Sequence, residues 1–232
     1  MDVNHLVQLI ALYAIPAIFA ITLHEAAHGY AALHYGDPTA YQAKRISLNP
    51  IRHIDPVGTL LIPAVVLFAS SGNFAFGWAK PVPVDFSRLH NPKRDMLWVA
   101  AAGPGANLFM ALLWAMLFKL TMIMPATYFT VPLLLMAKGG IIVNLVLMIL
   151  NLIPLPPLDG GRIAVSLLPH RLAYQFARVE PYGMIILMVL LFTRVLSAVI
   201  TPVLIAAVLI LCLLFQIDLS FFLQLKVSSL NV

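Results

Sequence analysis

Between Ile10 and Leu23 the chain carries no charged residue, and at the end of that run stands His24-Glu25-Ala26-Ala27-His28. No other feature restricts the fold as much. An uncharged apolar stretch of this length belongs inside a membrane or a protein core, and ionisable groups at membrane depth are costly enough to mark a functional site. On a helix, His24 and His28 stand one turn apart and share a face, so their ring nitrogens can converge on one cation. Glu25 lies beside that face and can orient and deprotonate a water that the metal activates. The spacing predicts a metal site with its own base.

The rest of the chain fixes the environment of that site. Of the 232 residues, 62% are hydrophobic and only 10% charged. Soluble domains carry about a quarter charged residues, so this is an integral membrane protein. No polar stretch is long enough to form a separate unit, and residues 1–232 read as a single domain. Cys212, the single cysteine, sits in an apolar run, where it packs rather than pairs. A net charge of +5 calls for no nucleic-acid partner and suits cytoplasmic loops facing an anionic lipid bilayer. The first apolar run carries the metal motif, so it is expected to be retained rather than cleaved as a signal.

Val7 to Tyr35 is long enough to cross a bilayer, and Gly36-Asp37-Pro38 ends it. Residues Arg45 to Asn49 and Phe76 to Val84 are patterned like short strands, the second with prolines suited to a sheet edge. Between them, the apolar piece Val57 to Ala69 is short for a crossing and suits a re-entrant or interfacial segment. Leu97 to Met122 and Pro132 to Leu152 are clear spans. The first opens on Ala100-Ala-Ala-Gly-Pro-Gly-Ala106, small residues that admit a close helix neighbour. In Asn151-Leu-Ile-Pro-Leu-Pro-Pro-Leu-Asp-Gly-Gly161 the prolines unwind the backbone, which at membrane depth is tolerated where it is buried in protein or lines a water-filled cavity. Two last apolar segments, Tyr182 to Val195 and Ile200 to Phe215, are expected to bend apart near Pro202. The fold class that follows is an all-α polytopic membrane protein of about five transmembrane helices. A re-entrant or interfacial segment and short membrane-associated β-strands complete it.

If residues 57–69 re-enter, eleven of the fourteen Lys and Arg fall on one side, leaving Lys119, Lys138 and Arg194 opposite. The excess of positive charge makes the richer side cytoplasmic.

Two histidines leave a catalytic zinc one protein ligand short of its usual three. Among the nine acids, Asp159 alone follows a proline-broken segment at the end of a span, and two glycines follow it. An Asp-Gly pair is equally at home in an ordinary turn, so the residues themselves leave both roles open for Asp159.

Taken together, His-Glu-Ala-Ala-His in a first span and Asn-Leu-Ile-Pro-Leu-Pro-Pro-Leu-Asp-Gly-Gly after a later one resemble the site-2 protease family, the intramembrane metalloproteases of peptidase family M50. Ala101 to Asn107 and Gly77 to Val84 resemble its compact bacterial branch, and the likeness runs from about residue 8 to residue 220. The resemblance implies one zinc ion held by His24, His28 and Asp159, with Glu25 as general base. It implies that Asn151 helps hold the substrate or the oxyanion. It further implies a multi-pass protein of the bacterial inner membrane, with its active site toward the cytoplasm and transmembrane proteins as substrates. Many relatives carry a PDZ module, and the short link between Met122 and Pro132 leaves no room for one. The segment 43–84 resembles the family's membrane-dipping strands, which clamp an unfolded substrate by strand addition.

Two rival classes share part of this pattern. A metal-handling transporter also uses a broken helix and buried ionisable groups, but no inverted repeat is visible and transport has no need of a glutamate beside the first histidine. An inactive scaffold is the other, against which stands the full set of catalytic residue types. His53, in Asn49-Pro-Ile-Arg-His-Ile-Asp-Pro56, has no chemistry assigned, and the remaining histidines read as interfacial or loop residues.

Overall fold

The uncharged apolar run forms the first helix of a computed structural model that describes residues 3–69 and 77–226. Helix α1 spans Val3–His34. It closes with Gly36 at φ +106, where Gly36 N–H donates to Leu33 O (3.2 Å) and Asp37 N–H to Ala32 O (2.9 Å). That bond pair requires a left-handed residue, which glycine supplies without steric cost. The buried Asp37 carboxylate then accepts the N–H of Thr39 (2.9 Å), which opens the short α2 (Thr39–Gln42), and that of Asp85 (2.7 Å). The end of α1 is thereby tied to a distant loop.

After a 3-10 turn at Pro50–His53 comes a π-helical turn, Pro56–Leu61, that runs into α3 (Ile62–Ala69). Together these last two reach roughly 20 Å, short of the ~30 Å hydrocarbon core. Trp78 N–H donates to Gly58 O (3.0 Å) and Thr59 Oγ1 to Trp78 O (2.9 Å), so the chain begins and ends this excursion at one place. A second 3-10 turn, Phe86–Arg88, is capped by Asp85. The hydrogen bonds from Ser87 hold the Asp85 carboxyl below the ordinary carboxylate range, so the cap stays charged well into acid.

The remaining helices are α4 (Pro92–Ile123), α5 (Thr130–Asn151), α6 (Asp159–Leu167), α7 (His170–Ala177), α8 (Glu180–Phe192), α9 (Val195–Leu214) and α10 (Leu219–Gln224). Helices α1, α4 and α5 pack on one another, and α9 joins through Val208, Leu211 and Cys212. Glycines make the contacts close: a Cβ on Gly139 would stand 2.9 Å from Tyr13, and one on Gly140 2.3 Å from Trp114. Lys119 on α4 and Lys138 on α5 end on backbone carbonyls. Lys119 Nζ donates to Gln216 O (2.8 Å), and Lys138 Nζ to Phe222 O (2.6 Å) and Leu225 O (2.9 Å), closing the exposed end of α10.

The structure corrects the sequence reading in three places. Among the described residues three helices, α4, α5 and α9, are long and apolar enough to cross a membrane, not about five. Helices α7 and α8, bent by 62°, would make a fourth if they count as one span. The break before α9 falls at Arg194 (φ 61), while Pro202 lies inside the continuous helix. No β-strand occurs among the described residues. Pro81 and Pro83 remove alternate ladder donors. Side chains take the neighbouring groups instead: Arg45 donates to Lys80 O (2.9 Å) and Pro81 O (3.3 Å), and Val82 N–H goes to Glu25. Phe76, expected to open the second strand, lies outside the described residues.

Candidate metal centre

Helix α1 presents His24 and His28 toward α4. His28 Nδ1–H donates to the Val99 carbonyl (2.7 Å), and His24 Nδ1–H to Asn107 Oδ1 (2.7 Å). Asn107 is fully buried, and its amide is oriented by donating to Ala20 O (3.2 Å) and Asn144 Oδ1 (3.2 Å). Asn144, itself fully buried, donates to Gly140 O (2.8 Å). This chain of amides fixes the His24 ring and its tautomer, and the Val99 carbonyl does the same for His28. Both Nε2 atoms are left with lone pairs.

Those lone pairs meet a carboxylate. The prolines after Asn151 end α5 and turn the chain back, and α6 then starts at Asp159, whose Oδ2 lies 3.3 Å from His24 Nε2 and 3.3 Å from His28 Nε2. The two Nε2 atoms are 3.1 Å apart. Gly160 and Gly161 permit the fold-back, since a Cβ on either would stand 2.3 Å from the backbone of the turn, at Leu152 O and Pro156 N respectively. Gly103 of α4 closes the other side: a Cβ there would stand 2.4 Å from His28 Nε2 and 2.6 Å from His24 Cε1.

The residues fit a tetrahedral cation. Bonds of about 2.0–2.1 Å at tetrahedral angles place donor atoms roughly 3.3–3.4 Å apart, close to the three edges observed. Asp159 Oδ2 is buried with no hydrogen-bond partner, and the nitrogens facing it have given their protons elsewhere. Three acceptors thus face one another with no proton between them, an arrangement that needs a positive charge at its centre. Among the described residues, His24, His28 and Asp159 form the one group of three whose ligand atoms converge, all lying within 4.8 Å.

The triangle faces an open cavity of ≈ 340 Å³ bounded by Pro81 to Val84, Phe86, Pro157 and Leu158. Glu25, half-buried, reaches into it and accepts the Val82 N–H at 2.7 Å through Oε2. Asn151 also lines the cavity, with one amide hydrogen on Leu147 O (3.0 Å). His53 stays apart, buried, with Nε2 donating to Ser47 O (2.8 Å). Sequence reasoning missed Asn107, Gly103 and the Val82 N–H. Asn107 and Gly103 were visible only as part of a small-residue stretch, and a backbone donor leaves no trace in side-chain identity.

A buried His-His-carboxylate triangle beside a glutamate, packed among membrane-crossing helices, defines an integral membrane metallohydrolase. Comparison with known proteins makes the class specific. The family model described as peptidase family M50 matches residues 123–194. The chain is 38% identical over 203 residues to YwhC of Bacillus subtilis (strain 168), which is named for zinc metalloprotease activity, covering 85% of this chain and 87% of the relative. It is 30% identical over 186 residues to Rip2 of Mycolicibacterium smegmatis (strain ATCC 700084 / mc(2)155), named likewise, covering 78% of this chain and 66% of that protein. No solved structure gives a significant match. The chain belongs to peptidase family M50, the site-2 protease family, and is an intramembrane zinc metalloprotease.

Proposed function

We propose that His24, His28 and Asp159 hold a single zinc ion, that Glu25 is the general base, and that the whole chain is one catalytic domain that cuts transmembrane segments of other proteins. The supporting observation is the proton-free triangle of Nε2, Nε2 and Oδ2 atoms at 3.1–3.3 Å, open to a cavity that Glu25 shares. When bound, zinc supplies Lewis acidity that polarises the scissile carbonyl and acidifies water. Glu25 takes the proton of the attacking water at a carboxylate oxygen and passes it to the leaving amide nitrogen. The Val82 N–H on Oε2 holds that carboxylate in place between the two transfers. Asn151 has a second amide hydrogen to offer the substrate carbonyl as charge develops on it.

A transmembrane helix hides its peptide bonds in its own hydrogen bonds, so the substrate must unwind before it reaches the triangle. Helix-breaking residues near the cut follow from that need. Zinc-loaded protein is expected to cut a model transmembrane peptide that carries such residues, in detergent, with fragments read by mass spectrometry. Asp159→Ala removes a ligand and is expected to lower zinc content and cleavage together. Stoichiometric zinc in the wild-type protein without any cleavage would refute the protease reading in favour of a binding scaffold.

The site faces the cytoplasm of a bacterial inner membrane in this reading. Support comes from the positive residues gathered in 44–52 and 88–94, and from the Gly58–Trp78 pairing that returns the segment between those loops to its starting point. Single cysteines at Ser47 and Ser87 are expected to react with a membrane-impermeant thiol reagent from the same face. Labelling from opposite faces would mean that the intervening segment crosses.

A further inference from the structure

Arg162 is the one Lys or Arg among the residues lining the catalytic cavity, and its side chain has no hydrogen bond or ion pair among the described residues. Two other cations, in the segments that carry Phe86 and open α4, are already engaged. Arg88 Nε pairs with Asp85 at 3.2 Å, and Lys93 Nζ donates to Leu168 O at 2.6 Å. Arg162 follows Asp159 by one helical turn in α6, so the two share a face. Its backbone is fixed, the N–H to Leu158 O (3.3 Å) and the carbonyl accepting from Ser166 Oγ (3.0 Å).

The guanidinium is also held by an aromatic platform. Its central carbon stands 4.9 Å from the centroid of the Phe86 ring, and Phe86 lines the same cavity. Phe86 begins the 3-10 turn capped by Asp85, whose own N–H is bonded to the buried Asp37, so the platform does not drift. The contact with the ring supplies no hydrogen-bond acceptor, so the guanidinium keeps the planar fork of donors that matches a carboxylate. Charge balance points the same way. With a divalent cation in the triangle, Glu25 and Asp159 are offset, and Arg162 leaves one positive charge over.

On the reading of this cavity as catalytic given above, we infer that Arg162 determines substrate specificity by binding a carboxylate of the substrate chain beside the scissile bond. That carboxylate is either an Asp or Glu side chain or a free C-terminus. The two sources share one chemistry and separate by experiment.

The test measures binding, independent of turnover. Zinc-loaded Glu25→Gln protein is titrated with fluorescent model transmembrane peptides that differ only in Asp against Asn near the helix break. A second pair differs only in a free against an amidated C-terminus placed there. The acid form of one pair is expected to bind about ten- to a hundredfold tighter than its neutral twin, and which pair does so identifies the source. Adding Arg162→Gln should bring that ratio to about one. Arg162→Lys keeps the charge but loses the fork and should give an intermediate ratio. Zinc content measured in each variant shows that the site still forms. In protein with Arg162 intact, a Lys-bearing peptide should bind more weakly than the Asn twin, a comparison that needs no second variant. Equal binding of acid and neutral twins, or a preference that survives Arg162→Gln, overturns the inference. Acid-selective binding with no cleavage by the wild-type protein would sink the protease reading and leave Arg162's role standing. Cleavage indifferent to the acid would do the reverse.

Discussion

Replacing Glu25 by Gln is expected to leave zinc in place and lower peptide cleavage by about 10²–10⁴-fold, the range of a lost general base. The substitution is cleaner here than in most sites. Oε2 of Glu25 accepts the Val82 N–H at 2.7 Å, and the amide oxygen of Gln can accept the same bond. Shape and loop position are then kept, and basicity alone is removed. Glu25 is no part of the metal triangle, so zinc measured by atomic absorption should match the wild-type protein. Loss of zinc along with activity would show instead that Glu25 shapes the site. The same paired measurement resolves Asn151. Asn151→Ala should keep zinc and slow cleavage by roughly 10²–10³-fold, the loss typical of one transition-state donor. A transporter would cut nothing in any of these forms.

The two histidines and Glu25 were legible because ionisable groups at the end of an uncharged apolar run are chemically expensive. Asp159 was not legible from its own Asp-Gly setting, which suits an ordinary turn equally well; only the pairing of the two motifs and the family resemblance it carries pointed to it. The prolines before it announced unwound backbone, but not where that backbone returns. The expected strands failed for a reason of the same kind. Alternation of apolar and small residues through Gly77 to Val84 matches a strand period, but Pro81 and Pro83 cannot donate, and Glu25 and Arg45 claim the groups that a ladder would have used. The expected span 182–195 failed on length: α8, Glu180–Phe192, has 13 residues, too few to cross alone, and the break before α9 depends on one left-handed residue, Arg194, that no pattern marks. Asn107 was hidden differently. Read alone, an asparagine in a small-residue stretch is packing, and its bond to His24 exists only once α1 and α4 are brought together.

That meeting of helices makes Gly103 the sharpest test of the site outside its ligands. Gly103→Ala adds a single carbon 2.4 Å from His28 Nε2 and 2.6 Å from His24 Cε1, well inside contact distance. Neither ring can retreat alone. Each is held by its Nδ1–H at 2.7 Å from an acceptor on α4, the helix that carries the new methyl group. Either those bonds lengthen or α4 moves from α1, and both outcomes misplace the Nε2 atoms. Losing an outer-shell partner alone costs about 10–100-fold in metal affinity, and this change disturbs two ligands at once, so zinc affinity should fall by at least 100-fold in chelator competition. Gly105 supplies the control two residues away in the same helix, because a Cβ there meets nothing within 4 Å. Gly105→Ala should bind zinc like the wild-type protein and raise the melting temperature slightly, since alanine is favoured over glycine in a helix by up to about 1 kcal/mol. Equal zinc affinity in the two variants would mean that α4 does not rest on the imidazoles. A loss confined to Gly103→Ala requires the packing of α4 against both rings.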